Sequence, residues 1–157
     1  MRIAVVTVSD RASAGVYADT SGPAIEEILR AAFPDAQIDR SLVPDGEGPV
    51  RAALERHAAD GADWILTTGG TGPAPRDRTP EAASAFCDRE LPGIAEYLRS
   101  ESLKETSNAV FSRLYAGMRG YVYVVNLPGS ERAARFCANL IAPLMEHGIN
   151  MAKGAGH

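Results

Sequence analysis

A chain of 157 residues can form one domain with a substantial core and is too short for two ordinary ones. Hydrophobic residues make up 45% and charged residues 23%, the balance of a globular protein, and a net charge of −4 argues against wrapping nucleic acid or lying on an anionic membrane. No run approaches the roughly 18 apolar residues that span a bilayer, and the opening MRIAVVTVSD is too short for a signal sequence, so the expected compartment is the cytoplasm.

In chain order, Arg2–Val8 is a short, β-branched, unbroken apolar run, the pattern of a strand buried on both faces. Gly22-Pro23 opens a helix over Pro23–Ala32, with Ser21 or Thr20 as its cap, and Pro34 ends it. Ala36–Val43 is a second strand, and Gly48-Pro49 starts a second helix running through His57 to about Asp60. Ala62–Thr67 is a third strand, Thr79-Pro80 caps a helix through about Cys87, and Leu91-Pro92-Gly93 begins another to about Lys104. Phe111–Leu114 and Tyr121–Asn126 are expected to pair as antiparallel strands across the glycines of YAGMRGY, and a last helix runs from Ser130 to about Met151. Strands alternating with helices give an α/β class: a three-layer α/β/α sandwich on a mainly parallel sheet with one antiparallel hairpin, residues 1–157 forming a single domain.

Cys87 and Cys137 match no metal spacing and are expected to be buried, reduced thiols. His57, His147 and His157 show no ligand spacing and are expected on the surface. Trp64, Phe33, Phe86 and Phe136 are expected in the core, and the tail MAKGAGH is expected to fray.

Ligands of such sheets bind at the carboxyl ends of the strands. Here the loops in question are TVSDRASAG, VPDGEG, TTGGTGPAPRD and NLPGS, all with glycine and polar residues. The third is neither a Walker loop, lacking Gly-Lys-Ser/Thr, nor a dinucleotide fingerprint. It is a tight turn running into a helix start, and its free N–H groups suit an anion. An aspartate between two arginines, Asp77 between Arg76 and Arg78, is most often simply an ion pair. A functional role needs a second carboxylate, and the loop after the second strand supplies Asp45. Two carboxylates beside phosphates make sense with Mg²⁺ between them, with Arg76 or Arg78 neutralising remaining charge. Such an arrangement serves phosphoryl or nucleotidyl transfer.

TGGTGPAPRDRTPEA, RELPG, ESLKETSNAVFSRLYAGMRG, NLPGS and TVSDRASAG together resemble the molybdenum cofactor biosynthesis domain family, in the same order and over nearly the whole chain. The resemblance implies a homotrimer of α/β/α subunits and Mg²⁺-dependent transfer of AMP from ATP to molybdopterin, with release of pyrophosphate. Other molybdenum cofactor biosynthesis enzymes are candidate partners. By position, the family's acidic pair falls on Asp45 and Asp77. The GGTG turn falls on Gly69, Gly70, Thr71 and Gly72, and the turn near the nucleotide on Pro128 and Gly129, followed by Ser130. The serine of the ESL motif falls on Ser102, in the family's pterin pocket. Thr7, Ser9, Asp10 and Ser13 match the first loop. Ser107 stands where relatives often have proline, and Gly46 and Gly48 are expected to leave Asp45 more mobile. The alternative is a non-catalytic, molybdopterin-binding scaffold trimer of the same fold; intact Asp45 and Asp77 favour the enzyme.

Overall fold

The apolar alternation of the first strand decides how the layers assemble. In the structure, a computed structural model that describes residues 1–154, β1 (Arg2–Val8) sends Ile3 and Val5 to one face of the sheet and Ala4, Val6 and Val8 to the other. The first set packs with Ile25 and Leu29 of α2 (Ser21–Ala32), Leu98 of α5 (Pro92–Glu105), and Cys137, Ile141 and Met145 of α6 (Glu131–Ala152). The second packs with Val50 and Leu54 of α3 (Glu47–Ala59) and with Ala82, Ala83 and Phe86 of α4 (Thr79–Phe86). A strand apolar on both faces needs helices on both sides, and that requirement produces the three layers.

The sheet has six strands in the order β2-β1-β3-β6-β5-β4. β2 (Gln37–Val43), β1, β3 (Trp64–Thr68) and β6 (Val122–Leu127) are parallel neighbours, whereas β5 (Ala116–Arg119) runs antiparallel to both β6 and β4 (Arg89–Glu90). The chain leaves β1 toward β2 and returns to β3 on β1's other side. The strand order therefore reverses beside β1, and their carboxyl ends open a crevice there.

The antiparallel hairpin forms, but its first strand is not Phe111–Leu114. Residues Ser107–Phe111 make a 3-10 turn and the strand begins at Ala116. The reason lies in who takes the backbone groups. Arg99 donates to the carbonyls of Ser112 and Leu114 at 3.1 and 3.0 Å, and the Arg113 amide donates to Thr71 O at 2.9 Å, so side chain and loop consume what a strand ladder would use. Gly120, at φ 58°, turns the chain back into β6. Ser107 opens the 3-10 turn just beyond the end of α5.

His57 is buried, contrary to the surface position expected. On α3 it continues the stripe Val50, Ala53 and Leu54 that faces the sheet, and its Nε2 lies 2.9 Å from Ser41 Oγ on β2 and 3.1 Å from an Arg56 Nη. His147 is exposed; His157 and the end of the tail lie outside the described residues. Cys137 is fully buried, whereas Cys87 is only half-buried, and burial pushes the Cys87 thiol up to about 11. Trp64 is core, its ring stacked on Tyr123 at 4.2 Å. Phe86 is buried; Phe33 and Phe136 are half-buried against the other face. Among the described residues no helix is long and apolar enough to cross a membrane.

Candidate active site

Four strand ends converge on a cavity of about 220 Å³. Thr7, Val8 and Ser9 come from the end of β1, Asp45 from the loop after β2, Thr68, Gly69, Gly70 and Asp77 from β3 and its loop, and Gly129 from the loop after β6. Tyr17 and Asp19 close the side formed by the β1–α2 connection.

The first loop turns directly into a short helix that the sequence reading missed, α1 (Asp10–Ser13), capped by Ser9 Oγ accepting from Ala12 N at 3.2 Å. The turn presents Asp10 to Asp45. Asp10 N donates to Asp45 Oδ2 at 2.7 Å and Asp45 N donates to Asp10 Oδ1 at 3.0 Å. Arg76 then locks the pair, its Nε and an Nη donating to the two Asp10 oxygens at 2.6 and 2.9 Å and the same Nη to Asp45 O at 2.8 Å. The Arg76 guanidinium holds the Asp10 carboxyl below its usual range. Asp45 is thus tied on two sides, although Gly46, at φ 119°, follows it. Ser13 lies outside, its hydroxyl donating to Asp10 O at 3.0 Å.

The glycine loop owes its path to close backbone approach. Gly69 has φ 102°, and a Cβ there would sit 2.2 Å from Val8 O; Gly70 has φ 62°, and a Cβ there would sit 2.3 Å from Thr79 Oγ1 and 3.4 Å from Asp45 Oδ1. Only glycine takes such angles without strain. Gly129 packs against Gly69 Cα, which brings the Pro128-Gly129 turn onto the glycine loop, and Thr68 Oγ1 donates to Pro128 O at 2.7 Å. Ser130 caps α6, its hydroxyl accepting from Ala133 N at 3.4 Å. Thr71 is buried with its carbonyl on the Arg113 amide, and a Cβ on Gly72 would lie 2.7 Å from Asp77 Oδ2.

Asp77 is not the partner of either flanking arginine. Arg76 reaches Asp10, and Arg78 reaches Glu47 and Glu81. The Asp77 carboxylate instead accepts from Ala74 N at 3.1 Å, a local turn that leaves it lining the cavity with Asp45. The two carboxylates offer hard oxygen ligands that fit a divalent cation carried in with phosphates, and the Gly69–Gly70 backbone lines the same cavity. Among the described residues no three His, Cys, Asp or Glu side chains cluster into a cage, so phosphate and water oxygens would complete any such shell.

Ser102 is the exception among the expected site residues. It is buried on α5, donating to Leu98 O at 2.7 Å and 3.6 Å from Cys137 Sγ, and it does not line this cavity. Two residues beyond those expected, Asp19 and Arg113, also shape this region. Asp19 accepts from Thr7 Oγ1 at 2.8 Å and from Gly22 N at 3.0 Å, so its carboxylate, rather than Thr20 or Ser21, caps α2. The signal was available: an Asp three residues before the Gly-Pro of a helix start.

Residues 4–147 match the model of the family described as "Probable molybdopterin binding domain". The molybdopterin adenylyltransferase of Helicobacter pylori (strain J99) is 37% identical over 156 residues, 98% of this chain and 89% of that protein. The molybdopterin adenylyltransferase of Escherichia coli (strain K12) is 40% identical over 137 residues, 86% of this chain and 70% of that protein. Among solved structures, the molybdopterin biosynthesis enzyme MoaB from Thermus thermophilus superposes with a TM-score of 0.89 at 41% identity, covering 98% of this chain and 96% of its own. With its fold, its glycine loop and its paired aspartates accounted for, the chain belongs to the molybdenum cofactor biosynthesis family of molybdopterin binding domains.

Proposed function

We propose that the chain is a molybdopterin adenylyltransferase, transferring AMP from ATP to molybdopterin and releasing pyrophosphate. The observation that carries this reading is the meeting of Asp45, Asp77 and the Gly69–Gly70 backbone on one cavity at the reversal of strand order. Backbone N–H groups of the glycine loop would hold phosphate oxygens, and the tight turn keeps side chains out of their way. Asp45 and Asp77 would hold Mg²⁺, whose charge offsets that of the triphosphate as pyrophosphate leaves. Arg76 fixes Asp10, and through it the backbone of Asp45, so the acidic pair is oriented before substrate arrives. Thr7 and Ser9 line the β1 side of the same cavity, while Pro128, Gly129 and Ser130 form the turn that closes the β6 side.

Ser102 belongs to this reading as a contact on the pterin side, reached if its hydroxyl exchanges Leu98 O for a ligand. A homotrimer working in the cytoplasm completes it. Incubation with Mg²⁺, ATP and molybdopterin, followed by detection of pyrophosphate, tests the proposal. Molybdopterin binding without pyrophosphate release would identify a binding module instead.

A further inference from the structure

We infer that Arg113 is the positioning residue that sets Asp77, by tying both limbs of the glycine loop to the body of the protein. This rests on the reaction proposed above. Arg113 lies between the 3-10 turn and β5, more than thirty positions from the loop it holds.

Its contacts span the loop from end to end. The Arg113 amide donates to Thr71 O at 2.9 Å and its Nε to Gly72 O at 3.0 Å, which fixes the outgoing limb. One Nη donates to Asp77 O, the carbonyl of the cavity aspartate itself, and both Nη atoms face the Glu81 carboxylate in the first turn of α4. That partnership holds the Glu81 carboxyl below its usual range. The loop's own bonds are local: Thr79 N to Gly70 O at 3.1 Å closes the neck, and Asp77 N to Ala74 O at 3.0 Å closes the tip. The neck bond ties the limbs only at their base, and the tip bond lies within four residues, so the middle of the loop is left to Arg113.

The guanidinium suits this task because its donors lie in one rigid plane and can meet two carbonyls and a carboxylate at once. A lysine offers one compact charge and no such fork. Arg76 is engaged with Asp10 and Arg78 with Glu47, and although Arg78 shares Glu81 Oε1, it is Arg113 that holds the carbonyls of Gly72 and Asp77. Gly72 links the two ends: its carbonyl is held by Arg113, and its α-carbon faces Asp77 Oδ2. Loss of Arg113 would let the limbs part and move the Asp77 carboxylate relative to Asp45.

Hydrogen exchange of the loop amides between Gly69 and Arg78, in the substrate-free protein, reads the positioning directly and needs no activity. Arg113→Ala should speed exchange of Thr71, Gly72 and Asp77 by about tenfold or more, with β1, β3 and β6 unchanged. Unchanged loop exchange overturns the inference, whether or not the protein transfers AMP. In the transfer assay, Arg113→Ala and Arg113→Lys should both lose rate and need more Mg²⁺ for half-maximal activity, and millimolar guanidinium should restore part of the Ala variant's rate. A normal rate and Mg²⁺ requirement in Arg113→Ala would equally overturn it. Should Arg113→Ala fail to fold, the same two readouts on Arg113→Lys decide. A wild-type protein that releases no pyrophosphate defeats the proposed reaction, while the exchange result still decides the role of Arg113.

Discussion

Asp10 and Asp45 hold each other by reciprocal bonds, the amide of each donating to the carboxylate of the other at 2.7 and 3.0 Å. This joins the loop after β1 to the loop after β2, its neighbour in the sheet. Arg76 bridges the pair from the third loop. Replacing Asp10 by Asn keeps an oxygen for Asp45 N but breaks the charged fork to Arg76. Because Asp10 is only half-buried, the fold should be little affected, and thermal unfolding should shift by no more than a degree or two. AMP transfer should fall by about tenfold, the worth of one net hydrogen bond that orients Asp45. Pyrophosphate release at the wild-type rate would show that Asp45 needs no such brace.

Gly69 and Gly72 should separate fold from function. A Cβ on Gly69 meets the Val8 carbonyl at 2.2 Å, and the residue's φ of 102° is strained for any L side chain. Gly69→Ala should therefore destabilise the protein by about 1–3 kcal/mol from backbone strain alone. Gly72 has no such φ, and its Cβ would meet only the Asp77 carboxylate at 2.7 Å. Gly72→Ala should leave the unfolding midpoint nearly unchanged yet lower transfer, because it pushes Asp77 aside. Denaturant unfolding of both variants beside their rates of pyrophosphate release checks the contrast.

What the sequence disclosed was the part written in local pattern. The apolar run Arg2–Val8 and the glycine loop were legible because strand burial and turn chemistry each leave a short-range mark. What it hid depends on partners distant in the chain. Residues 112–114 looked like a strand until Arg99 and Thr71 claimed their backbone groups. His57 looked like a surface residue because its partner Ser41 lies on another element. The pairing of Arg76 with Asp10, 66 positions away, takes the place of the common ion pair between an arginine and the aspartate beside it. Ser102 carried a motif's expectation that local pattern could not test, and in the structure its hydroxyl faces its own helix.

His57 makes stability depend on pH in a defined direction. Burial, with the Arg56 cation beside it, lowers its pKa below the ordinary 6.5, while Asp39 and Asp60 pull the other way. Arg56 only donates, so Nε2 accepts and the ring is neutral when folded. Below pH 6.5 the unfolded chain binds a proton that the folded one resists, so stability falls as pH drops from 6.5 toward the lowered folded value. One group contributes at most about 1.4 kcal/mol per pH unit in that window. Unfolding free energies of wild type and His57→Gln between pH 5 and 8 should converge in slope above pH 6.5 and diverge below it. Parallel curves throughout would mean that His57 protonates without cost.

The strictest test falls on Asp77, the carboxylate that a phosphate-binding loop should by charge alone exclude. Its Oδ2 accepts from Ala74 N at 3.1 Å, a bond that the amide oxygen of Asn can keep, and its carbonyl remains on Arg113. Asp77→Asn should therefore preserve the turn and the fold while removing the charge. Neither flanking arginine loses an ion-pair partner, since Arg76 and Arg78 are engaged elsewhere, so any effect reports on the cavity. If Asp77 and Asp45 together hold Mg²⁺ against the triphosphate, each Asn variant should bind molybdopterin normally and lose AMP transfer by about two to four orders of magnitude, the scale of one well-placed electrostatic contributor. Raised Mg²⁺ should recover part of that loss. The double variant should be little slower than the slower single one, because residues that act as a unit are not additive. Single-turnover rates across a Mg²⁺ titration measure all three. If Asp77→Asn transfers AMP at the normal rate, its carboxylate serves the turn at Ala74 and nothing more, and the metal-bridging account falls with it.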